Sequence, residues 1–251
     1  MNMGNEATSA IVIGNGPSAL LYEAGAEIDK FDVVIRINRF HIKGFEKFVG
    51  SKTDIWATTY NKLLMEWLEG WVTDVAGCRT SKLKINERKI WARTPKKLRY
   101  LRQIFGSDYS YEILYKNFKY HSLFLNDILG HISSEKDVPY KGKIYNVEPD
   151  TGFLTIVRAI EKFENIHIHG FDFYEDGLDD DIKRYYHNLS GETHAPPADV
   201  KGQRFVIEEL HRRGHINFLS EETKGVFFKK DPVAPKFPDS LLEKVRGGNV
   251  K

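Results

Sequence analysis

The stretch "IVIGNGPSAL", residues 11–20, decides how the rest of this 251-residue chain is read. Three apolar residues run into Gly14, Asn15, Gly16, Pro17 and Ser18, after which the apolar residues resume. The pattern predicts a buried strand over 10–14, a tight turn, and a helix over 17–26 that starts at Pro17 or Ser18. A glycine turn at the carboxyl end of a strand suits an anionic ligand, because absent side chains let backbone N–H groups come close to it.

Working outward, "DVVIRIN" at 32–38 reads as a second strand and "DIWATT" at 54–59 as a third. Strands alternating with helices at this spacing predict a parallel sheet joined by crossover helices. The expected fold is therefore α/β: a Rossmann-like parallel sheet flanked by helices, with a lid-like insertion. Residues 62–135 read as a variable, mostly helical, aromatic-rich region, within which "KIWAR" at 89–93 is a candidate strand. "DTGFLTIVRAIEKF" at 150–163 is an amphipathic helix with Phe153, Ile156, Val157, Ile160 and Phe163 on one face and Thr151 available as its cap. "NIHIHGFDFY" follows as a strand ending at Gly170, then the helix "VKGQRFVIEELHRRG" and the short strand "INFLS". The chain reads as one domain over 1–251, with a lid loop over 176–193 and a proline-containing basic tail over 229–251.

No apolar run approaches the roughly 20 residues of a helical membrane span. The opening MNMGNEATSA lacks the basic-then-apolar order of a secretory signal, and Cys78 is the sole cysteine. It can form no internal disulfide and no cysteine zinc site, so a reducing cytoplasm is the expected location. A net charge of +2 gives no case for nucleic acid. The charge is uneven, however: Lys82, Lys84, Arg88, Lys89, Arg93, Lys96, Lys97, Arg99 and Arg102 crowd one segment. They form either a solvated helical face or a surface for anionic lipid or a phosphorylated glycan. The basic tail adds a second route to peripheral membrane contact, at the inner face of a membrane.

Gly14, Gly16 and Ala19 satisfy G-x-G-x-x-[GA], the turn of dinucleotide-binding proteins. That motif also requires an acidic residue near the end of the second strand to hold the ribose hydroxyls. Here the strand ends in Arg36 and Asn38. An arginine and an amide suit a nucleotide with fewer phosphates and a polar sugar. Asn15 and Asn38 stand at the carboxyl ends of neighbouring strands, where open α/β sheets bind ligands, and an amide can read a base edge or a sugar hydroxyl. The alternative is that these asparagines only turn the chain.

Taken together, these blocks resemble the sialyltransferases. "IVIGNGPS" with "FDVVIRINRF" looks like the nucleotide-binding opening of the bacterial enzymes of glycosyltransferase family 42. "VIRINRFHIKGFEKFVGSKTDIW" is similar to the large sialylmotif of the animal-type family 29, and "EPDTGFLTIVRAIEKFENIHIHGFDFYEDG" to its small sialylmotif. His194 with Asp199 resembles the short C-terminal motif, in which a glutamate normally takes the acidic place, and "HAPPADVKGQRFVIEEL" also fits the bacterial histidine segment. The animal-type enzymes link the large and small motifs by a disulfide; Ala10 and Phe163 occupy the matching positions here.

The resemblance implies a GT-A-variant fold and inverting transfer of sialic acid from CMP-sialic acid to a glycan hydroxyl; the acceptor and linkage stay open, a lipid-linked glycan or lipooligosaccharide being among the candidates. It makes His194 the general base, in keeping with a pKa that lets imidazole accept a proton near neutrality. It makes Tyr174 a donor to the leaving phosphate, with Tyr185 and Tyr186 as candidates for a second; the "RYYHN" stretch carries Arg184 where the animal-type motif has histidine. Donor contacts fall on Gly14, Asn15, Gly16, Pro17, Ser18, Arg36, Asn38, Asn61, Thr151, Gly152, Gly170, Phe171 and Asp172. Thr151 and Gly152 open a helix and so offer N–H groups to an anion, while Asp172 either holds a ribose hydroxyl or braces the turn.

Asp179, Asp180 and Asp181 imitate the D-x-D pair of metal-dependent sugar-nucleotide enzymes, and His167 and His169 alternate on one strand face. A donor with one phosphate needs no bridging cation, so the acids read as an exposed helix start and the histidines as strand residues. No metal or other cofactor is expected. Three rival readings remain: a CMP-Kdo or CMP-Kdn transferase of the same fold, a non-catalytic relative that binds nucleotide or glycan, and, third, a nicotinamide-dinucleotide enzyme.

Overall fold

The computed structural model describes residues 8–59, 89–114, 150–172 and 200–221. Within them, seven strands form one sheet: β1 (Ser9–Ile13), β2 (Val33–Ile37), β3 (Ile55–Thr58), β4 (Lys89–Ala92), β5 (Ser110–Ile113), β6 (Asn165–His169) and β7 (Asn217–Phe218). Their order is β5-β4-β3-β2-β1-β6-β7, and every pairing is parallel. The Rossmann-like sheet expected from the sequence is what forms. Strands β1 to β3 are buried along almost their whole length, which is why they read as unbroken apolar runs.

Helices cover both faces, and side-chain alternation along each strand feeds the two sides. On one side α4 (Thr151–Lys162) and α5 (Val200–Arg212) bring Phe153, Ile156, Val157, Val206, Ile207 and Leu210 onto Ala10, Val12, Ile35, Ala57, Trp91 and Ile168. Ala10 lies in this cluster and Phe163 packs against it, so the two positions that a disulfide joins in the animal-type enzymes share apolar packing here. On the other side α1 (Gly25–Ile28) and α2 (Glu46–Val49) cover Ile11, Ile13 and Val34. There α3 (Pro95–Phe105) sets Leu101 and Phe105 against Trp56, Ile90 and Ala92.

Three local features differ from the sequence reading. The helix expected over 17–26 is a 3-10 turn, Pro17–Leu20, and helix resumes only at α1. Gly25, a poor residue for a helix interior, opens α1 and rests on α2 so closely that a Cβ there would lie 1.9 Å from the Glu46 carbonyl oxygen. The cap of α4 is Asp150, not Thr151: Asp150 is extended and its Oδ1 accepts from the Phe153 N–H at 2.7 Å. Thr151 is already in the first turn, where its carbonyl accepts from Thr155 Oγ1. Lastly, the region read as mostly helical supplies, besides the strand expected at 89–93, which forms as β4, a further strand β5. "SYEI" at β5 gave no strand signal because each of its residues is exposed or only partly covered at the sheet edge.

Arg36, expected at the donor, is fully buried in β2 and holds the turn that follows α2. Its Nε donates to Thr53 Oγ1 at 2.9 Å, and its Nη2 donates to the carbonyls of Val49 at 2.7 Å, Gly50 at 3.1 Å and Lys52 at 3.0 Å. From outside, Asp29 accepts from the N–H groups of Ser51 and Lys52. Arg36→Met would leave several buried acceptors without a donor. It is expected to cost about 3 kcal/mol or more, read as a lowered urea midpoint with the slope unchanged.

Candidate functional site

The chain builds β1 to β5 outward on one side of β1, then returns to place β6 and β7 on the other. The strand order therefore reverses between β1 and β6, and the crevice at the carboxyl ends of these strands is where open α/β sheets accept ligands. Residues expected at the donor converge there from four parts of the sequence: the 14–18 turn, Asn38 after β2, Thr151 and Gly152 at the start of α4, and the 170–172 segment.

The glycine turn is close-packed, and its N–H groups serve the protein. Gly14 N donates to the His169 carbonyl at 2.7 Å and Gly16 N to the Gly170 carbonyl at 2.8 Å. Ser18 N donates to Asp172 Oδ2 at 3.0 Å, which leaves the Asn15 N–H as the turn amide with no described partner. The glycines are thus needed for approach of the β6 end rather than for a phosphate cradle. A Cβ on Gly14 would stand 2.2 Å from the Gly170 oxygen, and one on Gly16 would stand 2.4 Å from Asp172 Oδ2. Gly170 itself has φ +71, a conformation that favours glycine. Phe171 wedges its ring between the turn and the start of α4, lying 3.0 Å from where a Cβ of Gly152 would sit.

Several polar groups are left over. Asn15 donates from Nδ2 to the Ile37 carbonyl at 3.0 Å, while its Oδ1 is buried without a partner. Ser18 Oγ and Asp172 Oδ1 are likewise buried and make no hydrogen bond of full geometry, although the Ser18 hydroxyl lies close enough to Asp172 to favour its charged form. A buried polar atom without a well-formed hydrogen bond costs free energy, and Asn15 Oδ1, Ser18 Oγ and Asp172 Oδ1 gather around this one turn. Asn38 has φ 47, the single positive value at a non-glycine residue among those described. Its Oδ1 accepts from Thr59 N at 3.0 Å and its carbonyl from Trp56 Nε1 at 2.8 Å, so its position is fixed between the ends of β2 and β3. A sparsely populated backbone conformation held this firmly is typical of a ligand site.

At the start of α4, Thr151 is buried and Gly152 lies under Phe171, so the first turn of a 12-residue helix faces the crevice region. Burial pushes the Asp150 carboxyl up, opposed by the Phe153 N–H and the charge of Arg93. The Asp150 N–H donates to Gln203 Oε1 at 3.2 Å, which ties α5 to the same corner. The sequence reading passed over Asp150 and Gln203. The signal for Asp150 was present, an Asx residue directly before the helix; that for Gln203, a polar residue on the inner face of α5, was weak. His169 hydrogen-bonds to the Ala19 carbonyl through Nε2 at 3.1 Å, and burial lowers it to about 4. His167 packs edge-on against Phe31. No group of three metal-ligating side chains occurs among the described residues.

Burial raises the Asp172 carboxyl from 3.8 to about 6, against the pull of Ser18. Because the folded-state pKa exceeds the unfolded one, the fold carries no penalty below pH 4. The penalty grows as pH rises through about 6 and is complete above it. Asp172→Asn, which keeps the acceptor for Ser18 N, is expected to match the parent protein at pH 4. It is expected to gain up to about 3 kcal/mol on it at pH 7.5. Urea titrations of both proteins at the two pH values measure this, and an equal difference at both would remove the buried ionisation.

Asn61, Tyr174, Tyr185, Tyr186, His194 and Asp199 lie outside the described residues, as do the three aspartates 179–181, the 176–193 loop and the 229–251 tail.

A sequence model of glycosyltransferase family 29 (sialyltransferase) matches residues 2–214. Among characterised proteins, the mouse CMP-N-acetylneuraminate-beta-galactosamide-alpha-2,3-sialyltransferase 4 is 24% identical over 238 residues, 86% of this chain. The chain spans 65% of the length of that relative. The rat CMP-N-acetylneuraminate-beta-1,4-galactoside alpha-2,3-sialyltransferase is 49% identical over 45 residues, 18% of this chain and 12% of its own. Two solved structures share the fold. A mammalian sialyltransferase superposes with a TM-score of 0.51 at 18% identity, over 85% of this chain and 69% of its own. The sialyltransferase CstII of Campylobacter jejuni, in complex with cytidine-5'-monophosphate, superposes with a TM-score of 0.53 at 15% identity, over 98% and 100%.

Proposed function

The chain belongs to glycosyltransferase family 29, the sialyltransferases, and from that premise we propose that it transfers sialic acid from CMP-sialic acid to a glycan hydroxyl, inverting the anomeric carbon and using no metal. The observation that carries the reading is the cluster of buried polar atoms with hydrogen-bonding capacity to spare, Asn15 Oδ1, Ser18 Oγ and Asp172 Oδ1, at the β1/β6 crevice. A nucleoside monophosphate offers hydroxyls and an amino group that can pair with such atoms.

In this reading the 14–18 turn, Asn38 and Asp172 hold the nucleoside, with Arg36 acting indirectly by bracing β2 and the turn after α2. Asn61 adds a contact near the donor. The start of α4, with Thr151 and Gly152, presents N–H groups and the positive end of the helix dipole to the donor carboxylate or phosphate. Phe171 and Gly170 keep that helix and the turn in register. His194 takes the proton from the acceptor hydroxyl as it attacks the anomeric carbon. The bond to the phosphate breaks on the opposite side, and Tyr174 with Tyr185 or Tyr186 donates to the departing oxygen. Because the leaving group is a monoester, hydrogen-bond donors supply the stabilisation that a divalent ion gives to diphosphate donors. The relatives are named as α-2,3-sialyltransferases of a β-galactosamide and of a β-1,4-galactoside, so a β-1,4-galactoside is the acceptor to try first.

The test is release of CMP from CMP-N-acetylneuraminic acid by the purified protein, with chelator present, with and without a lactose-terminated acceptor. Acceptor-dependent release is expected. Release from CMP-Kdo alone would move the assignment to that sugar, and donor binding without release across a panel of acceptors would make the protein a binder.

A further inference from the structure

We propose that the outer face of α3 is a docking surface for an anionic lipid membrane. The helix, PKKLRYLRQIF, contains no acidic residue, and along the chain none occurs between Glu87 and Asp108. Its inner face is settled: Leu101 and Phe105 are buried against Trp56 and Ile90, with Leu98 and Ile104 packed beside them. That leaves Lys96 and Arg99 exposed on the outer side and Arg102 exposed at its flank, where its guanidinium stands 5.5 Å from the centre of the Tyr111 ring. Tyr100 is exposed there too, at 41%, one of two large apolar side chains so exposed among the described residues.

Three cations and an aromatic ring with a polar tip, on a helix of 11 residues that is firmly packed behind, match the chemistry of a lipid headgroup layer. The ammonium and guanidinium groups meet lipid phosphates and carboxylates, and the phenol sits at the headgroup boundary. The chain as a whole has a net charge of only +2, so this positive field belongs to the segment rather than to the protein. Placement adds to the case. Only Arg93 and the capping Thr94 separate β4 from the helix, so α3 begins at the carboxyl edge of the sheet, the edge on which the crevice opens. A membrane lying along α3 would hold the catalytic edge near the surface, where a lipid-anchored glycan is presented. This last point rests on the transferase reading; the docking surface itself does not.

Each basic side chain near an anionic leaflet strengthens partition about five-fold. The triple variant Lys96→Gln, Arg99→Gln, Arg102→Gln is therefore expected to bind vesicles on the order of 100-fold more weakly. The experiment is co-sedimentation of the full chain with vesicles of phosphatidylserine and phosphatidylcholine, and with phosphatidylcholine alone, at low and high salt. Binding to the mixed vesicles alone, reduced by salt and lost in the triple variant, is the expected result. Equal binding by the variant would hand the contact to another segment, such as the basic tail, and overturn the proposal. Equal binding to phosphatidylcholine alone, or a tighter salt-sensitive association with heparin or duplex DNA, would also overturn it. The thermal midpoint of the variant checks that the fold is intact, and its turnover on a soluble acceptor is expected to be unchanged.

Discussion

His194→Ala is expected to lower turnover by about 10²–10⁴ while leaving affinity for CMP unchanged. The acceptor hydroxyl is a poor nucleophile until its proton is removed, and imidazole is the side chain whose ordinary pKa, about 6.5, allows that near neutral pH. The donor contacts assigned to Asn15, Asn38, Asp172 and the start of α4 belong to other segments, so losing the base should not loosen the nucleotide. CMP release at saturating donor, set beside calorimetric binding of CMP, separates the two. In the parent protein, kcat/KM for the proposed transfer should fall on the acid side as the imidazole is protonated, and this limb should flatten in the variant. Turnover above roughly a tenth of the parent rate would remove His194 as the base, and parallel loss of CMP affinity would reassign it to binding.

Gly14→Ala is expected to unfold the protein or bring it close to unfolding. The new Cβ would lie 2.2 Å from the Gly170 oxygen and 2.8 Å from its carbonyl carbon, both main-chain atoms that no rotamer change can move. Making room would part the β1 turn from β6 and weaken the Gly14 N to His169 and Gly16 N to Gly170 hydrogen bonds. Overpacking plus two lost bonds amounts to about 3–5 kcal/mol, a large share of a typical domain stability of about 5–15 kcal/mol. Gly16→Ala differs in kind, because its Cβ would meet the carboxylate of Asp172 at 2.4 Å, a side chain. Asp172→Ala should therefore recover part of the loss in Gly16→Ala and none of the loss in Gly14→Ala, which a double-mutant cycle measures. A Gly14→Ala protein with the parent's urea midpoint would refute the close contact.

The buried parallel strands were legible in the sequence because each is an apolar run closed by turn residues, and the amphipathic period of α4 was legible for the same local reason. The role of the glycines was not. Their place in the turn follows from "GNGPS", but what they approach is the end of β6, and nothing near residue 14 says which strand will lie beside it. Arg36 misled for a related cause: a cation at a strand end looks available to a phosphate until the carbonyls of residues 49, 50 and 52 are found around it. Asp150 could have been chosen as the cap over Thr151 from its position alone. The histidine and tyrosines assigned to chemistry rest on their motifs and on the family.

The pairing of β1 with β6 also fixes when the site can come into being. Ser18 and Asp172, which close the crevice, are 154 residues apart in the chain, whereas β1, β2 and β3 follow one another with short connections. Contacts at so large a separation carry a high loop-closure cost and tend to form late. During refolding, the β1–β3 side of the sheet can assemble before β6 arrives, yet the pocket proposed for the nucleotide is incomplete until it does. Affinity for CMP should therefore appear with the slowest folding phase, and the nucleotide should act as a clasp that selectively slows the reopening of that one seam.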